Sequence, residues 1–284
     1  MKKLIVNADD FGFTTGVNAG IVRAFKEGIV TSATIMANGE AFDDAVDLAL
    51  SNPGLGVGCH LALVGGRPIT RADEVPSLVD NQGFLPRTLS QLLSRLARGS
   101  VRPDEIVREL RAQVGRMVSA GVTPTHLDSH KHSHVHPQIM RAVAAIANEF
   151  GINCVRNPFE KVFSRGTVST LTHVKQTVLS AAVAPGAIWF KRLAQEHGLK
   201  TTDRFFGVKV TGLLDSAAIR SIMESLIDGT AELMCHPGLY DAELEHSPTR
   251  LKRQRQHELE ALIDPGVKEL AAARGISLIS YREL

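Results

Sequence analysis

The chain opens with Leu4-Ile5-Val6-Asn7-Ala8-Asp9-Asp10, a short apolar run that ends in two acids. Similar short apolar runs recur along the chain and alternate with stretches of helical periodicity. We predict eight strands, at residues 4–8, 33–36, 55–61, 124–128, 153–155, 205–210, 231–235 and 276–280. The predicted helices occupy residues 17–27, 42–50, 103–119, 137–149, 216–227 and 251–274. This alternation over 284 residues indicates the α/β class, and it favours an irregular (β/α) barrel over an open doubly wound sheet.

Polar residues stand at the carboxyl ends of several predicted strands. They are Asp9, Asp10, His60, Asp128, His130, Arg156 and His236. In a parallel barrel these strand ends meet at one rim, so residues that are far apart in sequence can share a single site. The pattern therefore predicts one polar site at that rim.

Residues 126–137 read His-Leu-Asp-Ser-His-Lys-His-Ser-His-Val-His-Pro and hold five of the eleven histidines. Imidazole is a common ligand for divalent metals, and alternate residues of an extended segment share a face. The run can therefore supply metal ligands together with residues that support them. A solvated polar loop is the alternative reading.

The composition is that of an ordinary globular enzyme, with 44% hydrophobic and 22% charged residues and a formal net charge of +2. Balanced charge argues against nucleic acid as a partner. The three cysteines, Cys59, Cys154 and Cys235, form no CxxC pair, which argues against a disulfide framework. Because the amino terminus also lacks the pattern of a signal peptide, we expect a cytoplasmic protein with one domain over residues 1–284.

Four stretches resemble the motifs of the YdjC-like carbohydrate deacetylases. They are Asn7-Ala8-Asp9-Asp10-Phe11-Gly12, Gly58-Cys59-His60-Leu61, Thr125-His126-Leu127-Asp128-Ser129-His130-Lys131-His132 and Met234-Cys235-His236-Pro237. The resemblance runs through nearly the whole chain. The histidine run and the long segment between Arg156 and Phe205 are most similar to the hopanoid biosynthesis-associated branch. The family resemblance implies metal-dependent removal of an N-acetyl group from an amino sugar, on an irregular barrel of the polysaccharide-deacetylase type.

In the family pattern the metal ligands are Asp10, His60 and His130. Two imidazoles and one carboxylate leave coordination positions open for water and substrate, as in a catalytic metal site. This ligand set favours one Zn²⁺ ion, whereas members of the family have also been described with Mg²⁺, so the identity of the ion stays open. Taken alone, His60 would read equally well as a buried core histidine.

The resemblance also assigns catalytic roles. Asp9 would be the general base, His236 the general acid for the departing amine, and Arg156 a partner of Asp9 or of a substrate oxygen. Asp128 and His132 are predicted to contact the substrate or to orient a ligand. The alternatives are a turn or helix cap for Asp9 and a surface arginine for Arg156.

Residues 174–199 combine apolar side chains, including Ile188, Trp189 and Phe190, with the cations Lys191 and Arg192. This pattern suits a glycolipid substrate and a peripheral membrane contact, and it equally describes a helix packed on the barrel. We therefore predict an N-acetylglucosaminyl hopanoid glycolipid as the substrate, with soluble chitooligosaccharides as the alternative. The sequence also leaves open a homodimer, a non-haem Fe(II) oxygenase with the same ligand set, and a metal-storage protein.

Overall fold

The computed structural model describes residues 1–160 and 186–284. Within them, seven parallel strands form one sheet in the order β4-β3-β2-β1-β6-β5, with β7 beside the start of β1. The strands are β1 (Lys2–Phe11), β2 (Ser32–Ile35), β3 (Gly56–Leu61), β4 (Leu127–Ser129), β5 (Arg204–Phe206), β6 (Gly229–Cys235) and β7 (Ile276–Leu278). The predicted α/β fold with a parallel sheet is thereby confirmed.

Helices connect and cover these strands. They are α1 (Thr15–Glu27), α2 (Phe42–Ser51), α3 (Leu89–Ala97), α4 (Pro103–Ser119), α5 (Pro137–Glu149), the described part of α6 (residues 186–196), α7 (Ser216–Ser225), α8 (Ala242–His246), α9 (Arg253–Leu262) and α10 (Pro265–Ala273). Two 3₁₀ segments, His130–Val135 and Tyr281–Glu283, complete the regular structure of the described residues. Among these residues, none of the helices has the length and apolar character needed to cross a bilayer.

Strand β1 lies at the centre of the sheet. It pairs with β6 from Lys2 to Ala8 and with β2 from Asn7 onward, and its residues from Leu4 to Phe11 are buried. Burial of a Leu, Ile or Val side chain stabilises a fold by about 1.5 to 3 kcal/mol. The apolar run that opens the chain therefore forms the core and carries Asp9 and Asp10 to the carboxyl rim.

Within the described residues, isolated β-bridges lie between β4 and β5. Single β-bridges join Leu127 to Val155 and Cys154 to Lys200. The predicted strand at residues 153–155 is therefore only a pair of bridges, because this stretch hydrogen-bonds its neighbours at single points. The predicted strand at residues 205–210 ends early, where Gly207 adopts a φ of +126° and the backbone turns away from β6.

The carboxyl-terminal third also departs from the predicted pattern. Residues 251–274 form two helices rather than one, because Pro265 begins α10 and the Asp264 side chain caps it by accepting from the Gly266 N–H. Helices α3 and α8 were not predicted. The break after Leu262 lets α9 turn its buried face, which includes Arg255, toward the carboxyl rim.

Buried polar residues of α4 anchor the connection that follows β3. Gln113 exchanges two hydrogen bonds with the backbone of Ala62, and Glu109 accepts from the N–H groups of Ile69 and Thr70. Buried backbone groups need such partners. The connection that follows β3 is therefore fixed to α4.

Candidate active site

Three side chains from different strands meet at the carboxyl rim. Asp10 lies near the end of β1, His60 lies in β3, and His130 follows β4 directly. The Asp10 Oδ1 atom lies 3.5 Å from His60 Nε2 and 3.2 Å from His130 Nδ1, and the two imidazole nitrogens are 3.3 Å apart. The structure thus brings together the three residues that the family pattern names as ligands.

These separations suit a metal ion with tetrahedral coordination. Metal–ligand bonds of about 2.0 to 2.1 Å place tetrahedral donors about 3.3 to 3.4 Å apart, and an octahedral shell with bonds of similar length places neighbouring donors about 2.9 Å apart. Asp10 Oδ1 is also buried without a hydrogen-bond partner within residues 1–160 and 186–284. A buried carboxylate oxygen normally has a partner, so a cation fits this position. Two nitrogens and one oxygen are a ligand set of the zinc type.

The backbone turns sharply at Asp10. Its φ of +67° lies in the left-handed region, which non-glycine residues rarely adopt, and the Phe13 N–H donates to its carbonyl oxygen at 3.0 Å. The Asn18 side chain secures the turn by accepting from the Gly12 N–H. This turn, together with the alternation along β1, sends the side chains of Asp9 and Asp10 to different partners.

His60 is oriented from behind by a carboxylate. Its Nδ1 atom lies 2.8 Å from Asp128 Oδ1, and the Thr34 hydroxyl donates to Asp128 Oδ2 at 3.1 Å. An Nδ1–H bond to Asp128 leaves Nε2 directed at Asp10 and His130, which is the usual arrangement for a metal-bound histidine. Burial alone would lower the pKa of His60, but the carboxylates of Asp128, Asp9 and Asp10 together outweigh burial and raise the pKa to about 9. A metal ion at Nε2 would displace a proton.

Asp128 is fully buried and lies behind His60, so it is placed to orient the His60 ring. Direct contact between Asp128 and substrate, the other role that the sequence suggested, stays a prediction. We therefore retain the orienting role that the sequence suggested for Asp128.

Asp9 is held by a buried arginine. Arg156, with no exposed surface, donates to both oxygens of Asp9 at 2.6 and 2.7 Å, and also lies 2.7 Å from Asp128 and 2.8 Å from Glu232. Burial would raise the pKa of Asp9, but the charge and hydrogen bonds of Arg156, together with the charge of His60, outweigh burial and hold the pKa below its usual range. Asp9 is therefore ionised and fixed in orientation.

The contacts of Asp9 and Asp128 also decide between two groupings of possible ligands. Within the described ranges, Asp9, His60 and Asp128 also lie close enough to hold a cation. Arg156 already places its positive charge between the two carboxylates of that group. The group of Asp10, His60 and His130 is therefore the better metal position.

His236 approaches the same rim on the neighbouring strand. Ala8 of β1 pairs with Cys235 of β6. The next residue on β1 is Asp9, and the next residue after β6 is His236. Glu258 accepts from its backbone N–H at 2.6 Å and lies 3.9 Å from its Nδ1 atom. That Nδ1 atom is buried and lacks a hydrogen-bond partner among the residues described. The backbone bond to Glu258 thus anchors His236 at the rim.

The remaining histidines of the run 126–137 have separate roles. His134 bonds Ser129 Oγ and the Arg156 carbonyl oxygen, and His136 caps α5 by accepting from the Gln138 N–H. His126 is buried in a stack with the Tyr281 ring at a centroid distance of 3.7 Å. These three positions are structural.

His132 differs from them. It is partly exposed and has a left-handed φ of +53°, and its Nδ1 atom is buried and lacks a hydrogen-bond partner in the described part of the chain. Its ring meets Phe205 edge-on at 5.5 Å. Burial lowers the pKa of His132 to about 3, so its ring is neutral and can exchange a hydrogen bond. It is the residue of the run that remains available for substrate contact.

Sequence reasoning missed several residues that complete the site. Arg255 donates to Asp10 Oδ2 at 2.5 Å, and Tyr281 donates to Glu232, which in turn accepts from Arg156. Asn7 stood in a quoted motif, and its amide joins Asp9 to His126. Only this last residue carried a signal in the sequence. Arg255 stands in a run of polar residues that is typical of a solvated helix.

Comparison with known proteins identifies the same family that the four sequence motifs resemble, and it does so over nearly the whole chain. The family model described as YdjC-like protein matches residues 3–273. A carbohydrate deacetylase of Geobacillus stearothermophilus is 39% identical over 280 residues, covering 98% of this chain and 96% of that protein. A chitooligosaccharide deacetylase of Salmonella typhimurium is 36% identical over 289 residues, covering 100% and 99%.

A solved structure has a closely similar fold. An Enterococcus faecalis protein proposed to act in cellobiose-phosphate cleavage superposes with a TM-score of 0.80 at 28% identity, covering 99% of this chain and 98% of that one. With the fold, the four motifs and these full-length matches in agreement, this chain belongs to the YdjC-like protein family.

Proposed function

We propose that this protein is a metal-dependent hydrolase that removes the N-acetyl group from an amino sugar. The observation that carries the proposal is the convergence of Asp10, His60 and His130 at one point of the rim, with the ionised Asp9 next to Asp10 in sequence. Relatives named carbohydrate deacetylase and chitooligosaccharide deacetylase support the substrate class.

Asp10, His60 and His130 would hold the metal. When bound, a divalent cation polarises the acetamide carbonyl and makes a coordinated water more acidic. Asp9 then accepts the proton of the attacking water. A carboxylate has about four lone-pair positions, and Arg156 and Asn7 use three of those on Asp9, which leaves one at Oδ2. The Arg156 pair keeps this acceptor ionised and immobile, so it needs no rearrangement during the reaction.

His236 supplies the proton that the departing amine needs. It lies beside Asp9 across the β1–β6 ladder, so the base and the acid come from adjacent strands, and its Nδ1 atom has no hydrogen-bond partner among the described residues. The attacking water loses a proton to Asp9 as its oxygen forms a bond to the acetyl carbon. The C–N bond then breaks and the amine nitrogen gains a proton from His236, which leaves acetate and a free amino sugar. His132 offers a neutral ring nitrogen to a sugar hydroxyl.

The finer substrate assignment has two candidates. The N-acetylglucosaminyl hopanoid glycolipid depends on residues 174–199, of which 174–185 lie outside the described residues. In the described part, Ile188 is 74% exposed, but Phe190 is fully buried and Arg141 lies over the Trp189 ring. Within residues 186–199, Phe190 therefore packs in the core rather than offering its ring to a lipid. The alternative, a soluble chitooligosaccharide, is supported by the name of the Salmonella relative.

A non-haem Fe(II) oxygenase would use the same three ligands, and a metal-storage protein could use the histidine run. Neither needs an ionised carboxylate clamped by a buried arginine, nor a second histidine on the adjacent strand. Hydrolysis uses both features, and family membership agrees with it.

The test is acetate release by the purified full chain from four substrates. They are N-acetylglucosamine, the N-acetylated forms of chitobiose and chitotriose, and an N-acetylglucosaminyl hopanoid. We expect release to stop after treatment with a chelator and to return with Zn²⁺. Asp10→Asn should be inactive, whereas the matched variant Asp43→Asn, at an acid with a side chain 94% exposed, should keep wild-type activity. Metal-loaded protein that releases no acetate from any of these sugars would overturn the proposal. The ratio of kcat/KM for the hopanoid and for chitobiose decides between the two substrates.

A further inference from the structure

Arg255 on α9 is a buried cation that the proposed chemistry does not use. It is 2% exposed and lies 245 residues along the chain from Asp10, yet its Nη2 atom donates to Asp10 Oδ2 at 2.5 Å. Arg156 already holds Asp9, the proposed base. Arg255 is a second buried arginine, and it pairs with a different carboxylate, that of Asp10. An arginine buried at this depth needs a specific reason to be there.

The guanidinium of Arg255 is fixed on several sides. Its Nε atom donates to the Leu251 carbonyl oxygen at 3.2 Å, and its Cζ atom lies 5.6 Å from the centre of the Phe13 ring. The backbone of α9 is itself tied to the barrel, because the Arg255 carbonyl oxygen accepts from the Gly238 N–H. These contacts hold the side chain beside Asp10, while its Nη1 atom has no hydrogen-bond partner among the described residues.

The two oxygens of Asp10 have different surroundings as a result. Oδ2 faces Arg255, whereas Oδ1 faces His60 and His130 and is the atom without a hydrogen-bond partner in the described ranges. A free carboxylate can rotate and offer one or both oxygens to a cation. Arg255 removes that freedom, because rotation would break its bond to Oδ2.

We propose that Arg255 is a positioning residue that sets Asp10 as a single-oxygen ligand of the metal. This inference rests on the proposed function, since it takes the Asp10, His60 and His130 group as the metal site. Residues that orient metal ligands typically change metal affinity by about 10 to 100-fold when they are removed. Arg255 thus extends the site to the carboxyl-terminal part of the chain.

The experiment measures binding of Co²⁺ and Zn²⁺ to the metal-stripped full chain, and the visible absorption spectrum of the Co²⁺ form. Arg255→Met should raise the Kd for both ions by about 10 to 100-fold. Its Co²⁺ bands should also shift, because Asp10 can then bind through both oxygens. Arg255→Lys keeps the charge without the fork and should give an intermediate Kd. Arg253→Met is the matched control, because Arg253 is exposed on the same helix and lies over the Tyr240 ring.

Wild-type Kd and spectrum in a folded Arg255→Met protein would overturn the inference, as would equal losses in Arg255→Met and Arg253→Met. If Arg255→Met does not fold, Arg255→Lys decides, and a wild-type Kd and spectrum in that variant overturn the inference. Asp10→Asn distinguishes a failure of the proposed role of Arg255 from a failure of the metal site itself. Lost binding in Asp10→Asn with unchanged binding in Arg255→Met removes only the role of Arg255, whereas unchanged binding in Asp10→Asn removes the metal site and the proposed function with it.

Discussion

Replacement of Asp9 by asparagine tests the base directly. The change keeps the size and shape of the side chain and removes the acceptor that takes the proton. In the structure it also replaces one acceptor of Arg156 with an NH₂ group, so one of the two Arg156 bonds at 2.6 and 2.7 Å is lost. Arg156 keeps Asp128 and Glu232 as partners, so its charge stays compensated.

Two magnitudes follow from that geometry. Loss of one charge-assisted hydrogen bond should lower the free energy of unfolding by about 1.5 to 3 kcal/mol, which a folded protein of this size can tolerate. Loss of general base catalysis should lower kcat by about 10² to 10⁴-fold. Metal binding should change little, because Asp10, His60 and His130 keep their contacts.

The assay combines kcat for acetate release, the Kd for Zn²⁺ and the urea unfolding curve of the same preparation. Asp43→Asn, the exposed control, should match the wild type in all three measurements. Near-normal turnover by Asp9→Asn with metal bound would exclude Asp9 as the base. A loss of Zn²⁺ binding in parallel with activity would instead assign Asp9 to the metal site.

Three further changes have expected outcomes. Removal of metal by a chelator should abolish acetate release and lower the Tm, because a bound ion stabilises only the folded state, and full activity after dialysis against the chelator would contradict the metal site. Tyr281→Phe should lower the free energy of unfolding by about 1 to 3 kcal/mol in urea titration, because it leaves a buried Glu232 oxygen without its donor, and an unchanged midpoint would refute that contact. Gly58→Ala should destabilise the fold by about 1 to 3 kcal/mol in the same titration, because a Cβ there would lie 2.5 Å from the His126 ring. Gly99→Ala measures the cost of a positive φ by itself, because no atom would lie within 4 Å of the added Cβ.

The fold could be predicted well from the sequence in its first half. The apolar run at the start of β1 and the periodic helices α4 and α5 carry local patterns that determine their structure, and the structure agrees with them. Prediction was poorer where a segment depends on distant partners. The bridges of Val155 and Cys154 exist only because β4 and Lys200 lie beside them, and no local pattern records that.

The site shows the same division. The residues at strand ends could be placed at one rim, because parallel strands bring their carboxyl ends together whatever the loops do. Supporting residues such as Arg255 and Glu232 could not be found in this way. Arg255 stands in a polar helix and Glu232 in a strand with mixed neighbours, so their burial depends on tertiary contacts rather than on sequence pattern. The histidines of the run look alike in sequence, yet the structure gives the five of them five different sets of contacts.

The long span between Asp10 and Arg255 has a consequence for the order in which the protein matures. During synthesis Asp10, His60 and His130 have all been added by residue 130, but Arg255, which orients Asp10, follows only after a further 125 positions. Tyr281, which closes the Glu232 and His126 contacts, comes later still. A nascent chain therefore carries the ligands well before it can hold them in the geometry of the finished site. We therefore expect tight metal binding only after the carboxyl-terminal helices have docked, and a chain that ends before α9 should bind Zn²⁺ more weakly than the full chain.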